Sequence, residues 1–566
     1  MKEQKEKSKL PTMICIQRQS KMQEYCPHIP KKKGGIFGLA EFPLVIYHQN
    51  KPYVVSSLKQ GKLDYVTLSS IGFMDRFFAF LFEIGFFDKV SPSFPSLSRK
   101  DKGISRMRAG IPFWFLIAAY LQLKLHVERA FLNLPYILNS GVILNKLGFN
   151  VGPIEGGFNK RNKEPRTSPI DQDAARKFFK NAPADKVMQW YNNEVVGFFN
   201  SYKVFDPEGV FILDSSYFPL PPNPNYERAS WLPLDEEGNF IDTSKLSEEE
   251  RKKIKNTLCY NLVTLMHVGF PRDYFLFSGL HLGPGKESAL TEGEKIVDNF
   301  IQKHGKGRIK ILVADRLFID GPMISKFKIK YSIDTVMPLK KNMDAYTDAW
   351  GISKLPSITW TTYNEEKDIH GELIEKIELA LVSDVTIWEN CDVPLHVVLV
   401  RETKPKEEKK LHEWAIATTM ESPTATQVYE LYYRRWQIEE RFDQVKNFWN
   451  IYKFTSTSFN LVTNQTVFIL LAYTLLQLYL ENKQMQKWAN RSLKTLKYRE
   501  KVNACIIAYK DRHFALFRIE EYQDILLNLE GEARERMRKK TRELLRARPP
   551  PDFSDITCLP VFQILS

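Results

Sequence analysis

Residues 308–315 read RIKILVAD, a short run of β-branched and apolar side chains that stops abruptly at an aspartate. Residues 209–214, GVFILD, repeat the pattern. Runs of this length and composition are strand signals. Between them, CYNLVTLMHV (259–268) and RDYFLFSGL (272–280) also read as strands. TEGEKIVDNFIQKHG (291–305) reads as a helix opened by a threonine cap and closed by glycine. Strands followed by a helix and a further strand imply a mixed α/β sheet. Asp214 and Asp315 then stand at strand C-terminal ends, where such sheets commonly place their chemistry.

Outward from this centre the period changes. Upstream, MDRFFAFLFEIGFFDKV (74–90) and the stretch from Ile111 to Leu147 carry apolar residues at three- and four-residue intervals, the mark of helices. The loop between them ends in a basic group, Arg99, Lys100, Lys102, Arg106 and Arg108. Two readings stand for this region: recognition of DNA ends, or a helical domain with solvated charges. Downstream, IHGELIEKIELALVSDVTIW and VPLHVVLVRE read as strands, and RERMRKKTRELLRARPPP (534–551) as a charged helix stopped by prolines. The expected order is a basic flexible tail (1–35), a helical region (36–195), the first part of the core (196–340), a β-rich insertion (341–410), the second part of the core (411–485) and a basic helical C-terminal region (486–566). No solenoid-type repeat is present.

A chain of 566 residues is too long for one compact core, and 43% hydrophobic with 26% charged residues is the composition of a folded protein. The formal charge of +14 favours a polyanionic partner, nucleic acid first and an anionic membrane surface second. The charged N-terminus lacks the apolar stretch of a signal peptide, so a cytoplasmic protein is expected. The apolar runs from Ile111 and Thr466 are shorter than a spanning helix and read as core helices, with no membrane partner. The six cysteines are scattered without a C-x-x-C pair, which argues against a disulfide framework or structural zinc. Cys15, Cys26 and His28 supply three ligands and no fourth.

Residues 429–449, YELYYRRWQIEERFDQVKNFW, set many charges into the apolar rhythm of a buried helix. On a helical wheel Tyr432, Arg435, Glu439 and Lys446 fall within a stripe about 60° wide. Trp436 and Phe442 flank it, so the stripe is expected to run beside the core, partly sheltered. One reading is a structural ion pair. The other adds Asp214 and Asp315. Three carboxylates without histidine or cysteine suit Mg²⁺, and a pair of such ions serves in-line phosphodiester displacement. Tyr432, Arg435 and Lys446 then become donors for phosphate oxygens.

The spacing Y-x2-R-x3-E-x6-K, with RRWQIEERFDQVK around it and ILDSS and LVADRLF upstream, resembles the signature of insertion-sequence-four type DDE transposases. Leu317 departs from it, since a glycine is common there. The resemblance covers about residues 200 to 480. It implies a ribonuclease-H-like mixed sheet interrupted by a β-rich insertion, with Asp214, Asp315 and Glu439 holding two Mg²⁺ ions and Mn²⁺ as a substitute. It also implies that Tyr432, Arg435 and Lys446 hold the transposon-end backbone, and that Arg316 matches a basic position in some relatives. Trp414, in HEWAIATT, is similar to the family tryptophan that stacks on a flipped base; a core tryptophan on a strand is the other reading. Trp350, Trp360 and Trp388 are expected to be packing residues. The implied activity is cut-and-paste transposition, with a hairpin step. Its partners are double-stranded DNA, as inverted-repeat ends and target, and a second copy in a synaptic homodimer, nucleoid-associated in a prokaryote. The alternatives are a structure-specific nuclease and a non-catalytic DNA-binding protein derived from a transposase.

Overall fold

The structure is a computed structural model. It describes residues 45–96, 113–139, 149–150, 172–254, 256–269, 274–405, 411–484, 503–511 and 513–546, apart from 47, 236–239, 242, 244–245, 387 and 389. The tail, the basic group at 99–108 and the proline stop after 546 lie outside these residues. The chain divides into two compact units, one within Met1–Ile84, Pro135–Asp171 and Lys494–Ser566, the other within Gly85–Leu134 and Gln172–Leu493.

The larger unit is built on a ten-stranded sheet. Its strands are β1 (Val210–Pro219), β2 (Ser230–Pro233), β3 (Asn256–Gly269), β4 (Tyr274–Pro284), β5 (Ile311–Ala314), β6 (Asp334–Pro338), β7 (Thr361–Lys367), β8 (Leu373–Val385), β9 (Leu395–Thr403) and β10 (Leu411–Thr418). They lie in the order β7-β8-β9-β10-β6-β5-β1-β3-β2, with β4 also on β3. Strands β1, β5 and β6 are parallel and the other pairings antiparallel. The sheet is thus mixed, with its parallel strands at the centre, where both faces are covered and the runs read as continuously apolar. The β-rich segment extends the same sheet: β10 pairs with β6, and β9, β8 and β7 follow outward.

Helices α1 (Ala289–His304), α2 (Gly321–Tyr331), α3 (Asp344–Ile352), α4 (Ala425–Tyr433), α5 (Arg435–Trp449) and α6 (Phe459–Asn482) accompany the sheet. The cap of α1 is Ser288, whose hydroxyl accepts from the Thr291 amide, so the expected threonine cap is corrected: the helix starts one residue after that serine, and Thr291 is the amide it caps. Gly293 lets α1 lie close on the sheet. A Cβ there would stand 2.9 Å from Leu213 Cδ2 and 2.7 Å from Phe318 Cε1. The apolar helices are core helices, as the sequence suggests. Phe113–Leu125 is buried along nearly its whole length, and α6, though long and apolar enough to cross a membrane, is buried within the protein. Tyr120, Phe179 and Phe468 pack ring against ring between these helices.

The smaller unit joins segments from both sides of the larger one. Strand Tyr65–Ile71 pairs antiparallel with Asn503–Lys510, which pairs with His513–Arg518. Val66, Ile506, Ala508, Ala515 and Phe517 form one core cluster with Val54 and Leu58 of helix Lys51–Lys59, Tyr522 of Ile519–Leu527 and Met537 of Gly531–Arg546. The helical terminal regions therefore also contribute strands, which the sequence patterns did not disclose. The apolar stretch 74–90 is two helices, Phe73–Glu83 and Phe86–Val90, broken at Gly85 with φ 70°.

Candidate active site

Leu213 of β1 pairs with Ala314 of β5 in parallel register, so Asp214 and Asp315, the next residues, are neighbours on the same face. Adjacent strands lie about 4.8 Å apart. Asp315 stands one residue past β5, as expected from its run, and its carboxylate caps the short turn Arg316–Phe318 by accepting from the Arg316 amide at 2.7 Å. Asp214 corrects the expectation of a strand end. Strand β1 runs on to Pro219 because β3 continues to pair with it, and Asp214 lies in mid-strand at the level where β5 stops. Its Oδ1 accepts from the Ser215 amide at 2.8 Å.

The expected single helix over 429–449 is two helices meeting at Arg434, so Tyr432 ends α4 and Arg435 begins α5. The stripe survives the break. Arg435 Nη1 donates to Glu439 Oε1 at 2.5 Å, its Nε donates to the Tyr432 hydroxyl at 3.2 Å, and its guanidinium lies 5.4 Å from the Tyr432 ring centre. Phe442 is buried against Phe277, which holds α5 on the face that carries Asp214. Trp436 is a correction. It is 61% exposed, with its ring against Tyr433, because the helix break turns this corner away from the core.

Electrostatics tie the acids together. Burial pushes the Asp214 carboxyl up to about 7; Arg435 and the Ser215 amide oppose this, while the charges of Asp315 and Glu439 add to it. Burial works against the charge on Arg435, yet Tyr432, Glu439, Asp214 and Asp315 outweigh it and hold the guanidinium above its usual range. Burial also raises the Tyr432 phenol, against the pull of Arg435. Asp214, Asp315, Glu439, Arg435 and Tyr432 thus form one electrostatic group.

Trp414 joins it from β10. Its ring centre lies 5.4 Å from that of Tyr432, and its indole N–H donates to Glu402 Oε1 at 3.0 Å. Trp350 and Trp360 pack as expected, on each other and around Arg401. Lys446 lies on α5 two turns beyond Glu439, about 10 Å along the axis. Among the described residues its ammonium makes no hydrogen bond or ion pair, and neither does the guanidinium of the exposed Arg316, whose backbone amide alone is bonded, to Asp315. The sequence reading did not single out Tyr433, 54% exposed, or foresee that Trp436 faces solvent beside it. Their adjacency to the polar stripe was the available signal.

The donor set fits a hard divalent cation: three carboxylate oxygens, with burial and mutual repulsion keeping Asp214 protonatable near neutrality. Their oxygens are not drawn into a tight cluster. Among the described residues, the group whose potential ligand atoms all lie within 4.8 Å of one another is His281, Glu287 and Glu292, elsewhere on the sheet.

Residues 206–475 match the family model of the transposase DDE domain. This DDE domain starts just before β1 and ends within α6, so it takes in all three acids, the whole sheet and both helices of the polar stripe. Its mixed sheet, with β4-β3-β1-β5-β6 at its centre, is the ribonuclease-H-like arrangement of DDE transposases. The match supports a transposase function in general terms, in DNA recombination. No curated protein matches the chain.

Proposed function

We propose that the protein is a cut-and-paste DNA transposase of the insertion-sequence-four type, with Asp214, Asp315 and Glu439 as its catalytic metal ligands. The observation that carries this reading is the register of β1 and β5, which sets two aspartates side by side, together with the charge of Glu439 acting on Asp214 from α5.

The three carboxylates would hold two Mg²⁺ ions, or Mn²⁺ in their place. Bound there, the ions supply Lewis-acid activation of the attacking oxygen and stabilisation of the leaving one. The protein does the rest. Arg435 stays charged because four neighbours favour its cation, so it offers a fixed donor to a phosphate oxygen beside the scissile bond. Tyr432 donates from its hydroxyl at the same place. Lys446 and Arg316, without protein partners, reach phosphates farther along the strand. Trp414, its N–H held by Glu402, keeps one orientation and presents its ring to an unstacked base.

The substrates are the inverted-repeat ends of an element and a target duplex, and two copies assemble on them as a synaptic dimer. The region 36–195 and the basic C-terminal region 486–566 supply end binding. Strand transfer separates this reading from a nuclease. Purified protein is incubated with a pre-cut end, a target plasmid and Mg²⁺. Joined products are expected, and Glu439→Gln abolishes them; cleavage with no joined product overturns the proposal in favour of a nuclease.

A further inference from the structure

A cavity of about 300 Å³ lies in the larger unit, among the segment after helix Phe113–Leu125, helix Gln172–Lys180, the loop after α5 and the first turn of α6. It uses none of the residues assigned above. Its volume is at the lower end of the roughly 300–1,000 Å³ typical of small-molecule sites.

Its lining combines three chemistries. Phe131 and Phe454 are half-buried rings that border the space, and Phe131 is backed by Tyr120 in a parallel stack at 5.0 Å. Arg129 and Arg176 are the cations. Arg176 is paired with Asp173, whereas Arg129 has no partner among the described residues, which leaves the wall with one uncompensated positive charge. Ser456 and Gln465 add hydrogen-bonding groups, and the Gln465 amide donates to the Lys453 carbonyl, which fixes the rim loop on α6. That loop is the segment into which α5 runs directly after Trp449.

Aromatic faces, an unpaired guanidinium, an amide and a hydroxyl around a space this size match the parts of one nucleotide. Bases stack on rings, phosphates take arginine, and base edges take amides and hydroxyls. We infer that this cavity binds a single nucleoside phosphate unit, with its base against Phe131 and Phe454 and its phosphate toward Arg129. This goes beyond the proposed catalysis and does not depend on it.

The test uses the full-length protein in EDTA, so that metal-dependent binding at the acids does not contribute. Thymidine 5′-monophosphate, a short single-stranded oligothymidylate and inorganic phosphate are each titrated by calorimetry. Saturable binding of the mononucleotide, the oligonucleotide or both is expected, weakened about tenfold or more by Arg129→Glu and by Phe454→Ala, retained in Phe454→Tyr and unchanged in Asp214→Asn. Tighter binding of the oligonucleotide identifies a DNA strand as the source of the unit; tighter binding of the monophosphate identifies a free nucleotide. Arg129 is exposed, so its variant reports on binding without a folding defect. Wild-type affinity in both Arg129→Glu and Phe454→Ala overturns the inference, as does inorganic phosphate binding as well as the nucleotides. Loss of binding in Asp214→Asn also overturns it, because the nucleotide then sits at the acids.

Discussion

Two groups of carboxylates occupy opposite faces of one sheet, since Asp214 aligns with Thr264 and Leu280 across β1, β3 and β4, and His281 is the next residue along. In the His281 group every acid has a nearby base. His281 Nε2 stands 3.0 Å from Glu287 Oε2, and Lys295 Nζ lies 2.6 Å from Glu292 Oε1. In the Asp214 group three acids share the one guanidinium of Arg435. The first group is closer-knit, yet it is the second that carries an excess of negative charge into a half-buried place. A balanced cluster holds a fold together; an unbalanced one is completed by a cation from outside.

The contrast can be broken most directly by removing charge. Asp214→Asn, Asp315→Asn and Glu439→Gln are each expected to lower strand cleavage by roughly 10³-fold or more, whereas Glu287→Gln leaves it within about twofold. Cleavage of a plasmid carrying the element ends reads this out, and unchanged activity in Glu439→Gln ends the metal assignment. Next comes the ion itself. Mg²⁺ at about 100 times its Kd stabilises a protein by roughly 2.7 kcal/mol. Thermal unfolding should show that gain in the wild type and in Glu287→Gln, but not in Asp214→Asn.

Protons sharpen the comparison further. The folded state holds the Asp214 proton up to about 7, against an ordinary value of 3.8, so the native protein binds that proton more tightly than the unfolded chain. Without metal, this group's contribution to stability is full below about 4 and declines as the pH rises to about 7. Lys124, buried beside the Tyr120 ring, runs the other way. Burial lowers it from 10.5 to about 7, so its cost is greatest at and below neutrality and fades as the pH rises to about 10.5. Urea unfolding in EDTA at pH 5 and pH 8 should therefore show Asp214→Asn gaining stability relative to wild type at the higher pH, and Lys124→Met gaining more at the lower. The smallest effect is expected at the balanced cluster. Its pairs are partly solvated, and His281→Gln should cost no more than about 1 kcal/mol in the same assay.

The sequence disclosed what depends on local pattern. Apolar runs ending at Asp214 and Asp315 gave the central strands, and a helical stripe gave Tyr432, Arg435 and Glu439 one face, which Arg435 confirms by bonding both neighbours. What it hid depends on partners. That β1 continues past Asp214 follows from β3, which no window around residue 214 contains. The break at Arg434 leaves the wheel nearly intact, so periodicity could not reveal it, yet it moves Trp436 from the expected shelter into solvent. The strands at 65–71 and 503–518 escaped notice for a related reason: each finds a pairing partner, and much of the core it packs in, more than 400 residues away.

That last pairing also sets a schedule for synthesis. Ile71 waits for Asn503, its register partner, and at about 5–20 residues per second the ribosome needs on the order of half a minute or more to deliver it. Throughout that interval the early strand lacks the one strand partner it has among the described residues, while the DDE domain between the two has time to fold first. A copy of the gene interrupted between the end of α6 and the late hairpin would yield a domain with all three acids but an early strand without its partner, so the hairpin decides whether the companion sheet closes.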